Sequence, residues 1–447
     1  MNRFPYGRTF LLGFGFLGVS ILWSVYNSYV PVFLEQRFAL SALAIGFIMT
    51  LDNMAALYIQ PLIGVISDNT RTRFGRRMPY ILVGAPIAAI GFVLIPMMFG
   101  LAGFIIAIGV TLLFMALWRT PVIALLGDLF PSEQRSKANG VINFMGGVGG
   151  ILAYFGGGLL YGLNPGLPFW IGGALIVIAI AVFFWRIREP MDIPAPTREG
   201  YGQLNKVLPG LALLILAAIL WFLGVPKVLA ILTGLAGFAV FLIQQLQGLP
   251  KQNRTSLVLL LLAIFSWFVG FSAIEAFFTL YGRNVLGIRE NLAAILFGIS
   301  NVTFIIFAIP SGFIATRYGR RRTILTGLAI FSVLLAAGFF VPKVIFIAVM
   351  LGLGGMAWAL VNVNSLPMVL DTAPQDRLGT STGLYYLFST LAAVAGPITN
   401  GWIIDLTGSN YNMIMAVAPF FMVLALLFML GVHSGEALVG AEAQPQA

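Results

Sequence analysis

The chain has 447 residues, of which 60% are hydrophobic and 9% charged, with a formal net charge of +10. Soluble domains carry about 25% charged residues, so this composition, with a mean hydropathy of +0.98, excludes a water-soluble fold. Cysteine is absent and His433 is the single histidine. Disulfides and His/Cys metal clusters are therefore excluded, a Ser-His or Cys-His nucleophile is not expected with a single histidine near the C-terminus, and we expect neither an enzyme nor a cofactor.

The apolar runs are continuous and do not alternate at period two, which predicts helices rather than a membrane barrel. Arg3 and Arg8 precede the first run, over 10–34. That run is too long for the apolar core of a signal peptide, and no small-x-small site follows it, so it reads as a retained span. Within it, Trp23 and Asn27 share a helical face, with Tyr26 beside them. The second span, 42–66, contains Asp52 and ends near Asp68. Spans over 79–100 and 103–127 follow. Arg119 lies inside the latter and Asp128 just beyond it. Two more cover 138–161 and 168–186.

Residues 187–208, with Pro190, Pro194 and Pro196, resemble a soluble linker. Two uncharged runs, 209–225 and 228–246, turn at Gly224-Val225-Pro226-Lys227 and read as an inserted hairpin. A second series covers 256–281, with Glu275, then 292–315, 323–341 and 344–370. The last of these carries Trp358, Asn362 and Asn364. Spans over 378–404, with Tyr385, and 411–432 complete it. The tail after Val432 reads as disordered. The expected fold is an all-α polytopic membrane protein of fourteen spans. Its parts are a six-helix half at 1–186, linker and hairpin at 187–255, a six-helix half at 256–432, and a tail at 433–447.

Two echoes support the division. Arg73-Phe74-Gly75-Arg76-Arg77 returns as Arg317-Tyr318-Gly319-Arg320-Arg321, each between two apolar runs. Asp128-x-x-Pro131 returns as Asp371-x-x-Pro374, each linking the fourth and fifth spans of a half. Parallel repeats of this kind mark transporters. The basic residues set orientation. With the N-terminus inside, nineteen of the 25 lysines and arginines fall on inside segments and five outside, leaving Arg119 in a span. This asymmetry predicts cytoplasmic termini in a plasma membrane, the bacterial inner membrane being expected. It also argues against nucleic acid as the reason for the positive charge.

A charge at the bilayer centre costs at least about 2.5–3.5 kcal/mol on insertion scales. Asp52, Arg119 and Glu275 are therefore either structural ion pairs or functional groups lining a watery path. Asp52 and Glu275 are the candidates for protonation. Arg119, Trp23, Tyr26, Asn27, Trp358, Asn362, Asn364 and Tyr385 are the candidate solute contacts, because polar groups beside aromatic faces suit a sugar's hydroxyls and C–H faces. Asp68, Arg73, Arg76, Arg77, Asp128, Arg317, Arg320, Arg321 and Asp371 are gate candidates, through guanidinium–carboxylate pairs that form in one state and break in another.

Gly64 through Asp68 to Arg73-Phe74-Gly75-Arg76-Arg77 resembles the loop motif of the major facilitator superfamily. Ser67-Asp68 with that loop and Pro79 resembles the plant sucrose–proton symporters and their bacterial relatives. Asn69-Thr70-Arg71 with Arg73, Gly75 and Pro79 is similar to the glycoside–pentoside–hexuronide cation symporters. The resemblance implies a twelve-span core, alternating access, and sugar uptake with a proton or sodium ion. The chain departs from both patterns. The sucrose-symporter arginine falls at Ile123, with Arg119 one turn earlier. The acid those symporters place earlier in the same span falls at about Leu112. The cation-binding acids of the glycoside symporters fall at Ala56 and Gln60, with Asp52 one turn earlier. The expected activity is proton-coupled symport of a sugar or glycoside, with a small solute, a proton rather than sodium, and the lipid bilayer as partners. Export of drugs or metabolites, or a non-transporting scaffold or receptor, are the alternatives.

Overall fold

In the computed structural model, the structure describes residues 6–54, 70–130, 132–189, 251–372 and 378–434, with positions 59, 63, 66, 67, 216, 229, 233, 236 and 240 between them. The regular elements among them are helical. They are α1 (Tyr6–Phe38), α2 (Ala42–Met49), α3 (Met78–Leu94), α4 (Leu101–Leu129), α5 (Ser132–Ile151), α6 (Gly157–Leu163) and α7 (Leu167–Arg186), then α8 (Lys251–Asn284), α9 (Glu290–Tyr318), α10 (Arg320–Phe340), α11 (Val344–Thr372), α12 (Leu378–Leu406) and α13 (Ile414–Leu430). A π-helical turn, Leu152–Gly156, joins α5 to α6.

Eleven helical stretches among the described residues are long and apolar enough to cross a membrane, with Ala42–Met54 a shorter apolar helix. The protein is thus a multi-pass membrane protein. The expected count of fourteen is larger because most of 209–225 and 228–246 and part of 42–66 lie outside the described residues, as does the tail beyond Ser434. The expected solvated linker also differs at its start. Ile187 is 2% exposed and the Glu189 side chain has no exposed surface.

The helices pack as two groups. In the first, α1 lies on α5 and α7, and α3 on α4 and α7. In the second, α8 lies on α12 and α13, α9 on α11, and α10 on α11 and α13. Three seams join the groups: α1 with α8, α2 with α12, and the α5–α6 region with α9. Apolar helices gain little by leaving lipid for one another, so close seams depend on small residues. Gly46 sits against the Pro397 carbonyl and Gly401 against that of Ala42, where a Cβ would collide with backbone.

The two basic loops cap one end of the bundle with the same construction twice. Gly75 and Gly319 both hold positive φ, 108° and 90°, a conformation that favours glycine. This turns the next two arginines back onto their own group. Arg76 Nη2 lies 2.6 Å from Asp128 Oδ1, and Arg77 Nε 3.2 Å from Oδ2. The second group repeats the bond as Arg320 to Asp371, with Arg320 also donating to the Pro367 carbonyl. In each copy an arginine at the start of the third helix grips a carboxylate at the end of the fourth. The following arginine position reaches the end of the sixth. The backbone N–H groups of Arg77 and Met78 donate to Glu189 at 2.8 and 3.2 Å, and Arg321 donates to the Leu430 carbonyl at 2.7 Å. Glu189 is buried because the first N–H groups of a helix have no intrahelical acceptor and favour a negative charge.

The opposite end is closed by contacts that do cross between the groups. Asp405, at the end of α12, accepts from the backbone N–H groups of Ala42 and Leu43 at the start of α2, both at 2.9 Å. Gln36 donates to Glu290 at 2.6 Å, and Arg283 to Glu35 at 2.7 Å.

Two outcomes follow. A Cβ at position 75 would overlap the Glu189 side chain and force a left-handed alanine. Gly75→Ala should therefore cost about 1–3 kcal/mol, read as a lower midpoint of thermal unfolding; an unchanged midpoint would contradict the crowded turn. For the closed end, the natural lack of cysteine makes an introduced thiol unique. Ala42→Cys places it in the α2–α12 seam, where Ala42 is 3% exposed. Adding Asp405→Ala should raise its labelling by a water-soluble maleimide about tenfold, the equivalent of one charge-assisted hydrogen bond. Equal labelling rates would mean that Asp405 does not hold the seam.

Candidate functional site

The ionisable residues flagged inside the spans converge from both helix groups. Glu275, on α8, accepts a hydrogen bond from Asn27 Nδ2 of α1 at 3.2 Å. This bond ties the two groups together at mid-span. One helical turn before Asn27, Trp23 lies with its ring 5.5 Å from the Arg119 guanidinium of α4, inside the range of a cation–π attraction. Asp52 is 6% exposed and accepts from Asn53 Nδ2 at 3.1 Å. The charges of both Arg119 and Glu275 act on it. A carboxylate, an amide, an indole and a guanidinium are thus gathered along one stretch of α1, with Glu275 reaching it from the second group. Such a set can hold a solute's hydroxyls and carry a proton.

Other predicted contacts divide by position. Trp358 stacks on Phe271 with ring centroids 4.2 Å apart and planes 3° from parallel. It helps line a cavity of about 240 Å³ that also includes Glu275. Tyr385 stands behind it, its hydroxyl 3.1 Å from Ser365 Oγ and its ring 6.4 Å from Phe268. Asn362 is half-buried on the same helix. Asn364 is not brought to the cluster. It is 4% exposed and donates to Ser311 Oγ at 3.0 Å, and Ser311 in turn donates to the Ala359 carbonyl at 2.8 Å. An amide in an apolar helix needs a partner, and Asn364 finds it in the α9–α11 contact. Tyr26 faces the core at 1% exposure, with its hydroxyl unbonded among the described residues and near the Asp52 charge.

The gate candidates stay at the basic end. Arg76, Arg77 and Asp128 join within the first group, and Arg320, Arg321 and Asp371 within the second, as described above. Arg73 and Arg317 are exposed, each over the aromatic ring that follows it, Phe74 at 4.7 Å and Tyr318 at 5.5 Å. Asp68 lies outside the described residues.

Sequence reasoning missed Tyr154, Phe271, Asn301, Glu189 and Asp405. Tyr154 reaches the cavity from the π-helical turn, and no local pattern marks such a turn, although Gly149-Gly150 and Gly156-Gly157-Gly158 flank it. Asp405 falls one residue past the expected end of its span, where a carboxylate reads as ordinary surface.

A family model of the major facilitator superfamily matches residues 12–306 and 260–445. The chain belongs to the major facilitator superfamily. Among its relatives, the isoprimeverose transporter of Lactiplantibacillus pentosus is 27% identical over 202 residues, covering 41% of each chain. The sucrose transport protein SUC3 of Arabidopsis thaliana is 28% identical over 162 residues, 31% of this chain and 27% of that one. The match thus spans less than half the length of these sugar-transporting relatives. The quinolone resistance protein NorA of Staphylococcus aureus (strain MRSA252) is 23% identical over 91% of both chains. Among solved structures, an auto-inhibited peptide transporter of the POT family superposes with a TM-score of 0.72 at 19% identity, covering 96% of each chain. The nucleoside transporter NupG gives 0.67 at 15% identity, over 96% of this chain and 99% of that one. These likenesses establish the major facilitator fold.

The Asn27–Glu275 bond makes a quantitative prediction. Asn27→Ala and Glu275→Gln should couple by about 1 kcal/mol in a double-mutant cycle on unfolding, the range of polar bonds between membrane helices. Strict additivity would show that the two side chains do not interact in the protein.

Proposed function

We propose that the protein is a secondary active transporter of the plasma membrane that carries a sugar or glycoside with a proton by alternating access. The observation that carries this reading is the Asn27–Glu275 bond between the two helix groups, with Arg119 beside Trp23, one turn away on the same helix as Asn27. A carboxylate at such a seam holds its partner when ionised and releases it when protonated. Proton binding is thereby tied to how the groups fit together. Asp52 and Glu275 are the protonation sites. Arg119, with Trp23 beneath it, offers several donors and an aromatic face to a sugar.

The distribution of lysine and arginine supports cytoplasmic termini, with the basic loops inside. On that orientation the Asp405, Gln36 and Arg283 contacts join the two groups at the outer end. The arginine–carboxylate corners within each half act as rigid blocks that meet when the cytoplasmic end closes. Asp68, Arg73 and Arg317 contribute charge to that meeting. The missing acids at Ala56 and Gln60 favour a proton over sodium.

Export of an amphipathic drug or metabolite is a second reading. The length of the match to the quinolone resistance protein and the aromatic lining of the cavity favour it.

Purified protein in proteoliposomes, loaded with a sugar panel with and without a pH gradient, separates the two. Symport predicts uphill uptake of at least one sugar that needs an inwardly directed proton gradient. Asp52→Asn and Glu275→Gln should reduce accumulation to equilibration while downhill exchange persists. If both variants still accumulate sugar, the protonation assignments are wrong. Expulsion of an amphipathic dye with no sugar uptake would establish the exporter instead.

A further inference from the structure

The cavity beside Glu275 does not end at the seam between the helix groups. It is walled by Phe271 and Ile274 of α8, Phe297 and Phe304 of α9, and Leu351 and Trp358 of α11, and it continues to Phe331 and Leu335 of α10. The helix α10 packs behind α11. The space is therefore a pocket inside the second group, opening from the polar cluster. Two glycines lie in its wall. Gly354 and Gly355 on α11 present no side chain to it, and Gly354 lies against the Phe331 ring, where a Cβ would approach Cε2 to 3.1 Å. Tyr154 stands over it from the first group, edge-on to Phe297 at 5.6 Å. Its wall includes the flat Phe271–Trp358 stack.

The pocket's polar groups are few. The Ser300 hydroxyl is used by its own helix, donating to the Phe297 carbonyl at 2.7 Å. Glu275 is already bonded to Asn27 on the side of the first group. Asn301 and Tyr154 complete the polar lining. An apolar cavity of 150 Å³ in another protein stays dry and binds benzene, and this one is larger, at about 240 Å³. A free sugar would leave most of its hydroxyls without partners there, at the cost that unpaired polar groups carry in an apolar site.

We propose that this pocket receives a flat apolar ring of the transported solute, so that the preferred substrate is an amphipathic glycoside. Its sugar lies by Arg119, Trp23 and Asn27, and its aromatic aglycone is seated among Phe271, Phe331 and Trp358. The inference rests on the transport reading. Glu275 belongs to both the polar cluster and the pocket, and this continuity identifies the occupant as part of the same solute rather than a lipid chain.

The test compares methyl and phenyl β-glucoside, which share one sugar, by equilibrium binding to purified protein and by uptake into proteoliposomes. The aglycone preference should appear as a binding constant about tenfold or more tighter for the phenyl glycoside, the worth of burying one ring. Gly354→Leu, which fills the pocket, should bring the ratio of the two constants close to one. Phe331→Ala, which enlarges it, should shift preference from a phenyl to a naphthyl glycoside and guards against a misfolded Gly354 variant. Equal binding of methyl and phenyl glycosides by the unaltered protein overturns the inference even if both are transported. Binding of neither overturns it also. Phenyl preference with no uptake of any glycoside would leave the pocket assigned and remove the transport reading. Retention of a bound acyl chain through purification, undisturbed by the phenyl glycoside, would assign the pocket to lipid and overturn the proposal.

Discussion

A charged side chain surrounded by apolar helices is costly unless something nearby compensates it. That constraint organises the middle of this protein. Asp52 lies just after α2, Arg119 on α4 and Glu275 on α8. Glu275 takes the Asn27 amide, Arg119 lies beside the Trp23 ring, and Asp52 accepts from Asn53. The Asn27–Glu275 bond crosses the seam, so a polar contact couples the two groups. A membrane interior makes the coupling stronger, since little water is present to screen it.

The two ends of the bundle solve a different problem in different ways. At the basic end, the polar pairs named here lie within a group: Arg76 and Arg77 with Asp128 and Glu189, and Arg320 with Asp371. They make each group a rigid corner. At the other end, Asp405 and Gln36 bind across the groups. The same chemistry therefore stiffens the pieces at one end and fastens them together at the other. Rigid pieces hinged by a small set of polar contacts can interconvert between discrete arrangements, where a uniformly bonded bundle would not.

The pocket within the second group shows how small residues permit close packing. Gly354 and Gly355 lie in its wall and let Phe331 and the Ser300 backbone come close to α11. The same pair lets α11 approach α9 closely, since a Cβ at Gly355 would collide with the Ser300 carbonyl.

Much of this was legible along the chain. The helical membrane class follows from long apolar runs, because no other backbone arrangement satisfies its own hydrogen bonds in lipid over such lengths. The duplication is written in Arg73–Arg77 and Arg317–Arg321, and Asp52, Arg119 and Glu275 stand out because charge is so expensive in their surroundings. Tertiary structure decided which of the other polar residues share that place. Trp23, Asn27 and Trp358 do, whereas Asn364 bonds to Ser311 in a helix contact and Tyr26 turns to the core. A sequence shows that an amide in a span needs a partner, but only packing determines whether the partner is a neighbouring helix or the central seam. Asp405 and Glu189 look like ordinary polar residues near span ends, and their role exists only because folding sets a helix N-terminus against each of them.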